Sequence, residues 1–228
     1  MLARMMSAKF RALFCLSSFV AASGQSVRVF SHYTLAVQHG AGICYENPKC
    51  VRSSALPQYP EWTIHGLWPS NLAFCGGSKF DLRELGGMLP TLRESWPSFT
   101  ETGDSAFWRY QFTKHGTCAI GSPRISGVQT YFERSLALYE DFSQKVLRKI
   151  GIRAGIVDVS EVEGLIRSRL GKSVQMRCRI VGSHYVLSEI KICYSRWNFE
   201  VIDCPRKSNC GRQSIFVAHG SRGPVGMV

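Results

Sequence analysis

The sequence predicts an α+β domain, because its β-rich segments, its helical segments and its alternating segments follow one another in blocks instead of repeating as strand–helix units. Its 228 residues suit one domain. Beyond the first 24 residues eight cysteines remain, an even set that favours four disulfides over zinc because no Cys-x-x-Cys pair is present. The expectation is a central antiparallel sheet flanked by helices, without repeats, low-complexity tracts or long linkers.

Residues 1–24 stand apart. Arg4, Lys9 and Arg11 precede a short apolar run, Ala12–Ala22, and the small residues Ala22, Ser23 and Gly24 follow it. That pattern reads as a signal peptide, too short to span a bilayer, with a buried N-terminal helix as the minor alternative. Cys15 leaves with it. Residues 25–228 then form the domain, in an exported chain. The formal net charge is +12 with a pI near 9.5, and three of the positive charges lie in the leader. Such an excess steers a protein toward polyanions, although a basic surface without function has the same composition. A mean hydropathy of −0.05 is that of an ordinary globule.

In order along the chain, Val27–Gln38 is β-branched and aromatic enough for a strand. Cys44–Pro60 reads as loop and Glu61–Leu67 as a second strand. Phe80–Glu94 reads as helix in pieces, interrupted by Gly86, Gly87 and Pro90. Ser105–His115 reads as a helix stopped by Gly116. Val128–Ile150 carries the longest helical periodicity, through Tyr131, Phe132, Leu136, Tyr139 and Phe142. Ser160 and Glu163 form a capping-box pattern for a helix that Gly171 ends. Val174–Cys204 alternates like antiparallel strands, and Gly220–Val228 reads as a frayed tail.

Two segments each place one histidine in an aromatic setting: Trp62–Ser70, with His65, and Phe107–Cys118, with His115. Two imidazoles are what cleavage of RNA through its own 2′-hydroxyl needs, one as base and one as acid, with no metal, cofactor or covalent intermediate. On a helix Phe107, Gln111 and His115 lie four apart on one face with Lys114 beside them, a set suited to a phosphorane. In a strand, alternation sends Trp62, Ile64, Gly66 and Trp68 to one face and Thr63, His65 and Leu67 to the other. His32, His39, His184 and His219 lack such neighbours and read as structural or surface residues.

His65-Gly-Leu-Trp-Pro69, then Phe107-Trp108, then Lys114-His-Gly-Thr-Cys118 resemble the two active-site segments of the RNase T2 family, which includes the S-RNases and S-like ribonucleases of plants. The resemblance runs from about Val29 to Cys210. It implies a secreted or vacuolar monomeric endoribonuclease acting on single-stranded RNA, with 2′,3′-cyclic phosphate ends. In it His115 is the base, His65 the acid and Lys114 the stabiliser of the phosphorane. It further implies Trp68 as a base platform, Phe107 and Gln38 near the neighbouring base, and Tyr110 as a phosphate contact. Disulfides Cys44–Cys50, Cys75–Cys118, Cys178–Cys210 and Cys193–Cys204 are implied as well. A role as an S-RNase in self-incompatibility would add a pollen-side protein partner.

The chain departs from the family in three places. Tyr110 and Gln111 stand where His and Glu are usual, and His39-Gly40 follows Gln38 where Trp-Pro is common. A glutamate at position 111 would favour the protonated form of His115; Gln111 keeps the shape without the charge. The expectation is a weaker enzyme whose base titrates lower. The alternative is a family member that has lost catalysis and binds RNA or a partner through its basic surface. No N-glycosylation sequon is present.

Overall fold

The computed structural model describes residues 29–50, 61–122, 124–150, 152, 154–211 and 214–218. The expected leader, the tail and His219 lie outside them. Within them the fold is α+β, with one seven-stranded sheet and helices inserted between its N- and C-terminal strands.

The elements are β1 (His32–His39), α1 (Gly40–Cys44), β2 (Trp62–Pro69), a 3-10 turn (Leu82–Met88), α2 (Leu89–Ser95), α3 (Gly103–Gln111) and α4 (Thr117–Ala119). They continue with α5 (Val128–Phe142), α6 (Arg148–Ile150), β3 (Gly155–Asp158), α7 (Val159–Leu170), β4 (Gln175–Val181), β5 (His184–Ser195), β6 (Val201–Ile202) and β7 (Ser214–Val217). Strand order is β2-β1-β5-β7-β3, with β4 and β6 also on β5. All pairings are antiparallel except β5 with β7. Twelve-residue β5 is thus the strand on which the sheet is assembled.

Several expectations shift. The first strand begins at His32, and the segment after it is helical over Gly40–Cys44 because the buried His39 caps it, its Nδ1 accepting from the Gly42 N–H at 3.1 Å. Pro90 does not interrupt a helix. It lies in the first turn of α2, where its missing N–H costs nothing. Asp158, not Ser160, caps α7 by accepting from the Ser160 N–H, while Gly171 ends that helix at φ +68° as expected. Strands β3 and β7 are too short to show a period.

Gly116 does not end the helix that carries His115. It stays right-handed, and the chain passes from α3 through a π-turn at Phe112–Gly116 into α4. The Thr117 hydroxyl donates to the Thr113 carbonyl at 2.9 Å, a back-bond that takes up a helix carbonyl inside the widened turn. Gly116 is glycine because a Cβ there would lie 2.4 Å from the buried Phe112 ring.

Helices α3 to α7 cover one sheet face. Tyr33, Leu35, Val37, Ile64, Leu67, Ile190 and Ile192 meet Phe112, Tyr131, Phe132 and Phe142 there, all with relative exposures of 1% or less. Strand β2 is at the sheet edge, where carbonyls lack strand partners. Helical side chains supply them: Tyr139 donates to the Trp62 carbonyl at 2.5 Å, Trp96 to His65 at 3.0 Å and Tyr131 to Leu67 at 2.9 Å. The indole of Trp108 donates in turn to the Trp96 carbonyl at 2.8 Å. Four disulfides, Cys44–Cys50, Cys75–Cys118, Cys178–Cys210 and Cys193–Cys204, close the loops.

Tyr131→Phe strands the buried Leu67 carbonyl and is expected to cost about 1–3 kcal/mol of stability by urea titration. Tyr185→Phe, on a half-exposed ring, should leave the midpoint in place.

Candidate active site

The register of β2 against β1 skips one residue. Ala36 pairs with Gly66 and Val37 with Ile64, so His65 is the extra residue of a β-bulge. The bulge overturns the alternation expected from the sequence. Trp62, Ile64 and Leu67 face the core, while His65 and Trp68 come together, ring centroids 5.0 Å apart at 81°. A second skip, between β4 and β5, leaves Ser188 opposite no residue: Arg177 pairs with Glu189 and Cys178 with Leu187. Leu187, Ile190 and Ile192 consequently join the core, and Glu189 and Lys191 lie on the face of His65.

Glu189 was not among the residues singled out from sequence. It is 8% exposed, and its Oε1 is hydrogen-bonded to Nδ1 of His65. Its Oε2 lies 3.4 Å from the Lys191 ammonium. Burial pushes the Glu189 carboxyl up, but the His65 bond and the nearby His65 and Lys191 charges outweigh it and hold it below the usual value. The signal was present in Ser188-Glu-Ile-Lys-Ile-Cys193, two charged residues at period two inside an apolar strand.

Trp68 joins the two motifs. Its indole N–H donates to Gln111 Oε1 at 3.0 Å, its ring lies 5.3 Å from that of His115, and the Lys191 ammonium sits 4.8 Å from its centroid. Gly66 makes the Trp68–Gln111 bond possible, since a Cβ there would fall 2.3 Å from both bonded atoms. Gln111 is 2% exposed with its oxygen committed to the indole, so it serves here as the anchor of Trp68. Phe107 closes the far side of His65 at 5.9 Å.

His115 is mostly enclosed and its Nδ1 is buried without a hydrogen-bond partner. Burial, then the positive charge of Lys114 and that of His65, pushes its pKa down to about 3. It is a neutral imidazole over the whole neutral range. Lys114 reaches Tyr110 Oη at 3.1 Å and lies against the rings of Tyr110 and Phe74. The loop carrying Phe74 is fastened to the helix by the bond of the Phe74 N–H to the Lys114 carbonyl, 2.8 Å, and by Cys75–Cys118.

Gln38 is 5% exposed and its amide nitrogen donates to Thr63 Oγ1 and the Ile64 carbonyl, so it braces β2. The remaining expected residues, His65, Trp68, Phe107, Gln111 and His115, form one cluster, with Tyr110 and Lys114 paired beside it. A groove of about 610 Å³ leads away from Trp68 and His115 past Lys191 to Asn71, His32 and Arg206. Arg206 is steadied there by donating to Asn71 Oδ1 at 3.2 Å.

The sequence profile of the Ribonuclease T2 family matches residues 30–204. Ribonuclease Oy of Magallana gigas is 30% identical over 207 residues, covering 82% of this chain and 95% of the relative. Ribonuclease S-6 of Pyrus pyrifolia is 30% identical over 209 residues, 84% of this chain and 87% of the relative. The crystal structure of human RNase T2 superposes with a TM-score of 0.72 at 25% identity, covering 83% of this chain and 98% of that one. RNase NT in complex with 5′-AMP shares the fold, with a TM-score of 0.71 at 22% identity over 84% of this chain and all of that one.

A depressed histidine pKa makes the folded state bind fewer protons than the unfolded chain. The stability this gives His115 is fully present above 6.5 and is lost as pH falls from 6.5 toward about 3. Urea midpoints taken at pH 7 and pH 4 should therefore fall further for the native chain than for His115→Asn.

Proposed function

The chain belongs to the Ribonuclease T2 family and is an endoribonuclease, and from that premise we propose that it cuts single-stranded RNA by transphosphorylation between His115 and His65. The observation that carries this reading is the pair of imidazoles on one indole in opposite electrical settings. His115 is enclosed, unpaired and neutral, as a base must be before reaction. His65 is backed by the Glu189 carboxylate at Nδ1, which leaves Nε2 as the nitrogen to act as acid.

In the forward step Nε2 of His115 takes the 2′-hydroxyl proton as O2′ attacks phosphorus. A proton on His65 Nε2 then passes to O5′ as the P–O5′ bond breaks, leaving a 2′,3′-cyclic phosphate. Lys114 supplies positive charge for the phosphorane. The Trp68 face receives a base by stacking, which accepts any base. The groove from Trp68 to Arg206 continues as the path of the strand, its basic residues meeting phosphates. Four disulfides support a secreted or vacuolar destination, where such bonds persist.

A base titrating near 3 is a weak one, and that observation favours the second reading, a basic protein that holds RNA without cutting it. An RNA zymogram of the oxidised chain separates the two. Cleavage yielding cyclic phosphate, reduced about 10²- to 10⁴-fold in both His65→Ala and His115→Ala, supports the enzyme. Retention of RNA without cleavage from pH 4 to 8 supports the binder.

Gln111→Glu places a carboxylate at the indole N–H of Trp68, whose ring lies 5.3 Å from that of His115. It should raise the rate and move the acid limb of the pH–rate profile upward, because a nearby negative charge favours the protonated base. An unchanged profile removes the electrostatic account of position 111.

A further inference from the structure

The carboxylate bonded to His65 comes from the sheet. Glu189 projects from the middle of β5, between β1 and β4, where an ionised group is retained only if other groups hold it. Both of its oxygens are held, Oε1 by Nδ1 of His65 and Oε2 by Lys191. Two independent irregularities bring it there: the bulge at His65 turns that ring away from the core, and the skip at Ser188 turns Glu189 onto the same face. Without the skip, Glu189 would point where Leu187 points, into apolar packing.

We propose that Glu189 is the positioning residue of the acid: through Nδ1 of His65 it fixes the ring's tautomer and orientation, so that Nε2 carries the proton delivered to the leaving 5′-oxygen. This inference rests on the two-histidine reading above. Before transfer both ring nitrogens of His65 are protonated, with Nδ1–H bonded to the carboxylate. When the P–O5′ bond breaks, the Nε2 proton moves to O5′ and the electron pair stays on Nε2. The Nδ1–H···Glu189 bond persists throughout, so the neutral ring left behind is a single tautomer, ready to accept a proton from water in the reverse sense. Gln111 cannot do this, because its oxygen already accepts from Trp68 and it carries no charge.

The charged groups that bear on the pair come from several elements. Lys191 lies on β5, Arg177 sits opposite Glu189 on β4, and Lys114 and His115 belong to the π-turn. All are cationic or neutral, so in Glu189→Gln nothing else of negative charge backs His65 among them.

The test compares two substrates with the oxidised full chain. A ribodinucleoside monophosphate has a poor leaving group that needs the acid, whereas a ribonucleoside 3′-(4-nitrophenyl phosphate) has a leaving group that departs without a proton. Glu189→Gln should lower kcat on the dinucleotide by about tenfold or more with KM nearly unchanged, while the nitrophenyl ester loses less than about threefold. Glu189→Asp, which keeps the charge and the fold, should recover part of the dinucleotide rate. Equal losses on both substrates, or a loss in KM and not in kcat, overturn the proposal and leave Glu189 a structural residue. If Glu189→Gln does not fold, Glu189→Asp decides alone, by selective loss on the dinucleotide or by none. His65→Ala separates the two layers of the argument. If it damages both substrates equally, His65 is not the acid and the reading of the site fails. If it spares the nitrophenyl ester while Glu189→Gln matches the native chain, only the role of Glu189 fails.

Discussion

The single extra residue that His65 inserts into β2 sets the direction of every later group in that strand. A strand alternates strictly, so without the bulge His65 and Leu67 would share a face, and either Leu67 would leave the core or His65 would enter it. With it, His65 lies against the ring of Trp68, which lines the groove, and Leu67 keeps its place beneath α5. A bulge leaves a backbone group without a ladder partner, and here the fully buried Trp96 supplies a donor to the His65 carbonyl. The imidazole is thereby fixed from behind by the backbone and at its edge by Glu189. The helices covering the sheet therefore do more than hide apolar surface, since their Tyr and Trp side chains hold an edge strand in a shape it would not keep alone.

The second motif reaches the same place by a different irregularity. The π-turn between Phe112 and Gly116 lets the chain run on past His115 to Cys118, and the Cys75–Cys118 bond fastens the loop after β2 to that end. Trp68 then bridges the two motifs through one hydrogen bond to Gln111 and ring contacts to both histidines. Loose placement of reacting groups is costly in catalysis, and the bulge, the bridge and the disulfide together restrict it. The different electrical settings of the two imidazoles follow from this frame. One is enclosed beside cations, and the other is bonded to a carboxylate.

Much of this was legible in the sequence and some could not be. Block order and helical period disclosed the α+β architecture, α5 and α7, because long elements repeat their period often enough to be read. The clustering of His65, Trp68, Phe107, Gln111 and His115 was legible because they sit in two compact motifs. The facing of His65 relative to Trp68 was misread because a bulge is one residue long and leaves no periodic trace. Glu189 was missed although Glu189 and Lys191 are charges spaced by two in an apolar strand; its partner lies 124 residues away in sequence and is joined to it only through the sheet. Gln38 also braces the strand pair through Thr63, whose hydroxyl gives no signal of that in the sequence.

The central claim is that burial beside cations keeps His115 neutral next to a carboxylate-backed His65. Nitrogen-15 chemical shifts of the His115 ring, followed by NMR from pH 8 downward in the native chain, address it directly. The shifts should remain those of a neutral imidazole through pH 5 and change only as pH approaches about 3. A His115 ring that becomes imidazolium near pH 6.5 would contradict the enclosure from which the account of the site is built.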